Sequence, residues 1–135
     1  MEKSEIFRLD TNICIYVINI KPPDVLQKFR EKKSGTIAVS SITAGELAYG
    51  VLKSGSERNR RALELFLAPI EILPFGPSAI WHYGRIRVTL ERKGQPIGAM
   101  DTLIAAHALS LGATLVTNNT REFCRVEELL LENWV

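Results

Sequence analysis

Thr36-Ile-Ala-Val39-Ser40-Ser41-Ile-Thr43-Ala-Gly-Glu46-Leu-Ala-Tyr-Gly50-Val-Leu52 changes character at Ser40, and that change decides the fold. Thr36 to Val39 is a short β-branched and apolar run, which reads as a strand. Ser40, Ser41 or Thr43 can accept a backbone N–H and open a helix running through Leu52. Similar passages lie on either side. Upstream, Ile6 to Leu9 reads as a strand ending at Asp10, with a short helix over Thr11 to Ile18. Pro22-Pro23-Asp24 then starts a helix over Val25 to Lys33, with Gly35 beyond its end. Downstream, Ser56 to Leu67 is a helix, and Ile70 to Leu73 is a strand closed by Pro74. Pro77 to Lys93 is a long helix stopping before Gly94, and 95–98 is a loop. Ala99 to Leu111 is a helix capped by Gly112, and Ala113 to Thr117 is a last strand. Strands alternating with helices, with no repeat or linker, predict one α/β domain over residues 1–135. Its core would be a parallel sheet of four or five short strands with helices on both faces.

A chain of 135 residues, 46% of them apolar, buries a real core and is not disordered. The opening Met1-Glu-Lys-Ser-Glu5 has acids where a signal peptide needs a basic region and an apolar stretch. The most apolar segment, Ala99 to Val116, is broken by Asp101 and His107, so no membrane span is expected. Cys14 and Cys124 read as reduced thiols, each a small buried apolar group, in a cytoplasmic protein. A net charge of +2 permits a nucleic-acid partner without demanding one. The charge is uneven. Lys53, Arg58, Arg60 and Arg61 form one basic group and Arg85, Arg87, Arg92 and Lys93 another, while Glu127, Glu128 and Glu132 make the end acidic. Solvated helix faces account for such runs equally well.

Ligands of open α/β sheets collect beyond the carboxyl ends of the strands. Asp10-Thr11-Asn12, Ser40-Ser41 leading to Glu46, and Thr117-Asn118-Asn119 fall there, and Asp101 enters from the first turn of a helix. Each acid has a structural role open to it. Asp10 can cap a helix, Thr43 and Glu46 have capping-box spacing, and Asp101 suits a helix dipole. Together they point elsewhere. Converging carboxylates repel and shift upward in pKa unless a cation neutralises them. An all-oxygen cluster suits Mg²⁺ or Mn²⁺ rather than zinc. Such a cation activates water and stabilises charge on a phosphodiester, which is nuclease chemistry.

The residues also resemble a known family. Leu9-Asp10-Thr11-Asn12-Ile13-Cys14, Ser40 to Gly50, Gly94 to Ala105 and Val116-Thr117-Asn118-Asn119-Thr120-Arg121-Glu122-Phe123 resemble, in order and spacing, the VapC-type PIN-domain toxin ribonucleases of bacterial toxin–antitoxin pairs. The resemblance runs from Leu9 to Trp134. It implies a PIN-like fold with Asp10, Glu46 and Asp101 as catalytic, metal-holding acids and with Asn12 and Thr117 orienting them. Many relatives carry a fourth acid where this chain has Asn119, so Asn119 and Glu122 are accessory candidates, and one or two metals remain open. It further implies Mg²⁺-dependent endonucleolytic cleavage of RNA, leaving a 5′-phosphate and a 3′-hydroxyl. A VapB-type antitoxin would inhibit by laying its tail in the groove. The family forms homodimers, which assemble with antitoxin on operator DNA. The variant at 118–123 and the loop at 94–98 look most like the enteric branch, which cleaves initiator tRNA in its anticodon stem-loop.

Two other readings stay open. One is a PIN protein of RNA processing, or a regulator with little nuclease activity of its own. The other is a receiver-like Mg²⁺ module, which lacks here a Lys after the last strand. His82 and His107 are not spaced with the acids and read as packed or surface residues. Arg85, Arg87, Arg92 and Lys93 are candidate RNA-phosphate contacts. Trp81 and Tyr83 read as core or interface. The 49–52 stretch and the apolar residues near Phe66 read as antitoxin surface or core.

Overall fold

The structure, a computed structural model, describes residues 6–32 and 35–135. Strands β1 (Phe7–Leu9), β2 (Ile37–Ser40), β3 (Glu71–Leu73), β4 (Thr114–Val116) and β5 (Leu130–Glu132) form one sheet in the order β3-β2-β1-β4-β5. Every neighbouring pair is parallel. Phe7 stands opposite both Ile37 and Thr114, and Leu9 opposite Val116. The chain builds outward from β1 to β3, then returns past β1 to lay down β4 and β5. The reversal falls between β1 and β4, and their carboxyl ends flank the crevice where open α/β sheets hold ligands.

Helices α1 (Thr11–Asn19) and α2 (Pro23–Glu31) join β1 to β2, and α3 (Ser41–Ser54) and α4 (Glu57–Leu67) join β2 to β3. Helices α5 (Pro77–Arg92) and α6 (Ala99–Leu111) lead to β4, and α7 (Thr120–Phe123) lies before β5. Successive strand residues point to opposite faces, so each face has its own core. Phe7, Leu9, Val39 and Val116 pack with Ile13, Val17, Val25, Leu47 and Leu63 beneath α1 to α4. Leu115 turns the other way, against Ile86, Leu90, Ile104 and Phe123. Helix α6 buries nearly every side, at Thr102, Ile104, Ala105, Ala106, His107 and Ala108. Its alanines let α5 pack close, and the helix is a core helix. No helix among the described residues is long and apolar enough to cross a membrane.

Most element boundaries lie within two residues of the sequence expectation. The Pro23 start of α2 falls in the expected Pro22-Pro23-Asp24 stretch, while Met1 to Glu5 and the expected helix end at Lys33 lie outside the described residues. Four readings change. The Thr43–Glu46 capping box does not form, because α3 begins earlier. Ser40 Oγ accepts from Ile42 N at 3.1 Å, which places Thr43 buried inside the first turn. Cys14 is buried as expected, but Cys124 is exposed, since α7 lays its other face, through Phe123, on the core. Trp81, expected in core or interface, is 78% exposed, which removes the core half of that reading. Helix α7 and strand β5 went unread. Leu130-Leu-Glu132 has no strand signature of its own and becomes a strand by pairing with Thr114 to Val116. Beyond it, buried Trp134 packs on Phe7 with ring centroids 5.6 Å apart.

Candidate active site

Asp10 follows β1 and is the N-cap of α1. Its Oδ1 accepts the Ile13 N–H at 2.9 Å, and its own N–H donates to the Val116 carbonyl at 3.0 Å. Thr117, wholly buried after β4, donates its hydroxyl to Asp10 Oδ2 at 2.5 Å and accepts the Asn119 N–H at 2.9 Å. The two strands at the reversal thus lock one carboxylate between them. Its role as a cap and its place in an acid cluster coexist.

Glu46 projects from α3 one turn past its opening, half-buried, and accepts a hydrogen bond from Thr11 Oγ1 at 2.6 Å. Asp101 lies in the first turn of α6, half-buried and within hydrogen-bonding reach of Glu122. Glu122 is held from two sides. It takes the Gly98 N–H at 3.0 Å on one oxygen and the Asn119 side-chain amide at 2.6 Å on the other. Asn119 therefore directs Glu122 toward the turn that carries Asp101.

The electrostatics join these acids. Burial raises the Asp101 carboxyl to about 6, with further pushes from Glu122, Asp10 and Glu46. Asp10 is also raised by burial, opposed by its bonds to Thr117 and Ile13, and raised further by Glu46. The structure thus brings Asp101 within electrostatic reach of Asp10, Glu46 and Glu122, and Asp10 within reach of Glu46, with Asn119 and Thr117 as hydrogen-bonding supports. As their side chains stand, no three acid, imidazole or thiol groups among the described residues are close enough to encircle one ion. Glu46 is turned to Thr11, and Asp101 to Glu122, a carboxyl pair that can meet only while one member holds a proton. The donor set, all oxygen and with no imidazole or thiol hydrogen-bonded to it among the described residues, fits a hard divalent cation.

Asn12, expected to orient the acids, is exposed on α1 and makes no hydrogen bond to them among the described residues. Thr11 is the residue sequence reasoning missed. Its position directly after a strand-end acid, on the opening turn of a helix, was the available signal. Among the candidate phosphate contacts, Arg87 is tied to the Tyr83 hydroxyl at 3.0 Å and Glu91 at 3.4 Å, and Lys93 to Glu127 at 3.3 Å. Arg85 and Arg92 lie exposed on α5. His107 is buried in α6, away from the acids, and His82 is half-buried on α5.

The PIN domain family profile matches residues 8–129. Ribonuclease VapC2 of Rickettsia felis is 50% identical over 132 residues, covering 96% of this chain and 98% of that protein. The tRNA(fMet)-specific endonuclease VapC of Shigella flexneri is 46% identical over 129 residues, covering 95% and 97%. Among solved structures, VapBC2 from Rickettsia felis bound to a promoter DNA fragment superposes with a TM-score of 0.91 at 46% identity, covering 96% of this chain and 99% of that one. DNA-bound VapBC from Salmonella typhimurium also reaches 0.91, at 42% identity over 98% and 100%. With these relatives matched along nearly its whole length, the chain belongs to the PIN-domain family, in its VapC branch.

Proposed function

We propose that this protein is the toxin of a type II toxin–antitoxin pair, a cytoplasmic endoribonuclease that hydrolyses RNA phosphodiester bonds with Mg²⁺, for which Mn²⁺ substitutes. The observation that carries this reading is the meeting of Asp10, Glu46, Asp101 and Glu122 at the sheet's switch point, with Asp101 raised to about 6. Asp10, Glu46 and Asp101 would hold the cation and Glu122 would complete the oxygen shell, with Asn119 positioning Glu122. A bound divalent cation supplies an activated water and offsets charge developing on the phosphodiester. The protein's own part is to keep acids where they repel. Thr117 fixes Asp10 between two strands, and Thr11 keeps Glu46 at the rim of the site.

By likeness to the Shigella tRNA(fMet) endonuclease, initiator tRNA is the proposed substrate. By likeness to the DNA-bound VapBC complexes, the proposed partner is a VapB-type antitoxin, with which the protein sits on operator DNA. A homodimer is proposed as well. Ile80, Trp81 and Val88 form an exposed apolar stripe along α5 at helical spacing, a surface that a second copy would cover.

The test is cleavage of total RNA by the purified chain with Mg²⁺ or with EDTA, beside Asp10→Asn. Discrete fragments that need metal and disappear in the variant are expected, with read ends mapping to the anticodon loop of initiator tRNA. Intact RNA with folded, metal-supplied protein would refute the nuclease reading.

A further inference from the structure

The cations expected to meet RNA on α5 are partly committed elsewhere, Arg87 to Tyr83 and Glu91 and Lys93 to Glu127. Helix α4 offers a different pair. Among the described residues Arg60 pairs with Glu64 at 3.2 Å, whereas Arg58 and Arg61 have no carboxylate within ion-pair distance. Both are exposed, and Arg58 lines the same groove as Thr11 and Glu46.

A groove of about 660 Å³ lies between α1, α3 and α4. Thr11 and Glu46 line it at the acid cluster, Arg58 and Asn59 line it from α4, and Gly50 lies along its α3 wall. Between them Ile15, Ile18, Leu47, Val51 and Leu63 make much of its surface apolar. At Gly50 a Cβ would meet nothing within 4 Å, so that wall is low and open. Glu46 to Gly50 is one turn of α3, about 6 Å along the helix axis. Past Arg58 a second hollow of about 350 Å³ continues to Arg61. Glu57 also lines that hollow, so two guanidiniums face one carboxylate there.

Charge decides what such a path suits. An RNA strand reacting at the acids places its neighbouring phosphates within about one Debye length, roughly 8 Å at physiological salt, of the carboxylates that hold the metal. Those phosphates are repelled unless fixed cations lie along the strand. Arg58 borders this groove and Arg61 the hollow beyond it, neither paired with a carboxylate among the described residues, and guanidinium is well shaped for phosphate oxygens. We propose that the groove between α1, α3 and α4 carries the RNA strand next to the scissile bond, with Arg58 and Arg61 holding its backbone phosphates. The inference rests on the ribonuclease reading and adds to it the side chains that hold the substrate. It also gives inhibition a physical form, since an antitoxin tail laid in the groove would displace the strand.

The test is fluorescence anisotropy of a fluorescein-labelled single-stranded RNA of mixed sequence, titrated with the full chain in EDTA across a salt series. Without metal there is no cleavage, so binding is read apart from catalysis. R58A/R61A is expected to weaken binding at least ~10-fold at low salt. The slope of log K against log salt should fall by about 1.4, or 0.7 per lost phosphate contact. R58K/R61K should keep most of the slope, and R60A should match the parent. Circular dichroism checks folding. If the double variant loses its fold, R58Q alone should lower the slope by about 0.7. Unchanged affinity and slope in a folded Arg58 and Arg61 variant would overturn the proposal, as would absence of RNA binding by the parent. Unchanged RNA binding with lost binding of the antitoxin would make the groove a peptide site and overturn it too. Binding with the expected slope but no cleavage in Mg²⁺ would refute the nuclease reading alone. Cleavage by R58A/R61A at the parental kcat/KM would refute this inference alone.

Discussion

Thr117 does more for the acid cluster than its size indicates. It gives Asp10 a hydroxyl donor at 2.5 Å and accepts the half-buried backbone N–H of Asn119. Thr117→Val keeps the shape and removes both bonds, leaving a buried carboxylate short of a donor. A loss of about 1–3 kcal/mol in denaturant unfolding is expected. Mn²⁺ affinity should fall about 10- to 100-fold by titration, as when a ligand loses its supporting hydrogen bond. Asp101 gives a pH signature. Its carboxyl is raised to about 6 in the folded chain, so between the ordinary carboxylate range and pH 6 the folded state holds a proton that the unfolded state has lost. Metal-free protein should therefore lose stability as pH rises through that window. Asp101→Asn should reduce the loss, leaving the share due to the raised Asp10, and make the metal-free protein about 1 kcal/mol more stable at pH 7, a figure reduced for the group's partial exposure. Added Mg²⁺ should stabilise the parent and not the variant. Thermal melts at a series of pH values, with and without the ion, read all three effects.

At the scale of elements, α6 matters most, because it carries Asp101 at one end and a buried histidine in its middle. His107 Nδ1 lies 2.7 Å from Ser40 Oγ, the same oxygen that caps α3. The Pro74 carbonyl accepts from the ring as well. One neutral imidazole therefore ties α6 to the start of α3 and the end of β3. Burial, with the nearby Arg8, lowers its pKa below the usual histidine value. The neutral form stabilises the fold above about pH 6.5, and that stability is lost as pH falls through the lowered folded pKa. His107→Leu should cost about 1–3 kcal/mol at pH 7.5. The gap from the parent should shrink toward pH 5, where the parent carries the cost of charging the ring. Urea unfolding at both pH values measures it.

At the scale of the whole molecule, the sheet reversal positions the candidate acids and the surface of α5 is the proposed dimer face. Trp81→Ala with Val88→Asp removes the apolar stripe without touching either core. Sedimentation velocity should show a two-copy species for the parent and a single copy for the variant, with melting temperatures within a few degrees. A parent that runs as one copy at micromolar concentration would refute the homodimer.

The alternation of strands and helices, the caps at Asp10 and Gly112, and three of the acids were legible in the residues themselves, because periodicity, capping and strand-end position are local properties. The long-range partnerships were not. Glu46 with Thr11, Asp10 with Thr117 and Gly98 with Glu122 join residues 35, 107 and 24 positions apart. Local pattern carries no information at those distances. Strand β5 exists only because β4 is there to pair with it, and Cys124 and Trp81 are exposed because of which helix face meets the core. The sequence by itself determined an α/β chain with acids at its strand ends. The tertiary structure alone decided that β1 and β4 lie side by side. It likewise decided that Glu122 reaches Asp101 and that, among the described residues, Arg58 and Arg61 have no carboxylate within ion-pair distance, since packing, and not spacing, sets which distant side chains share a space.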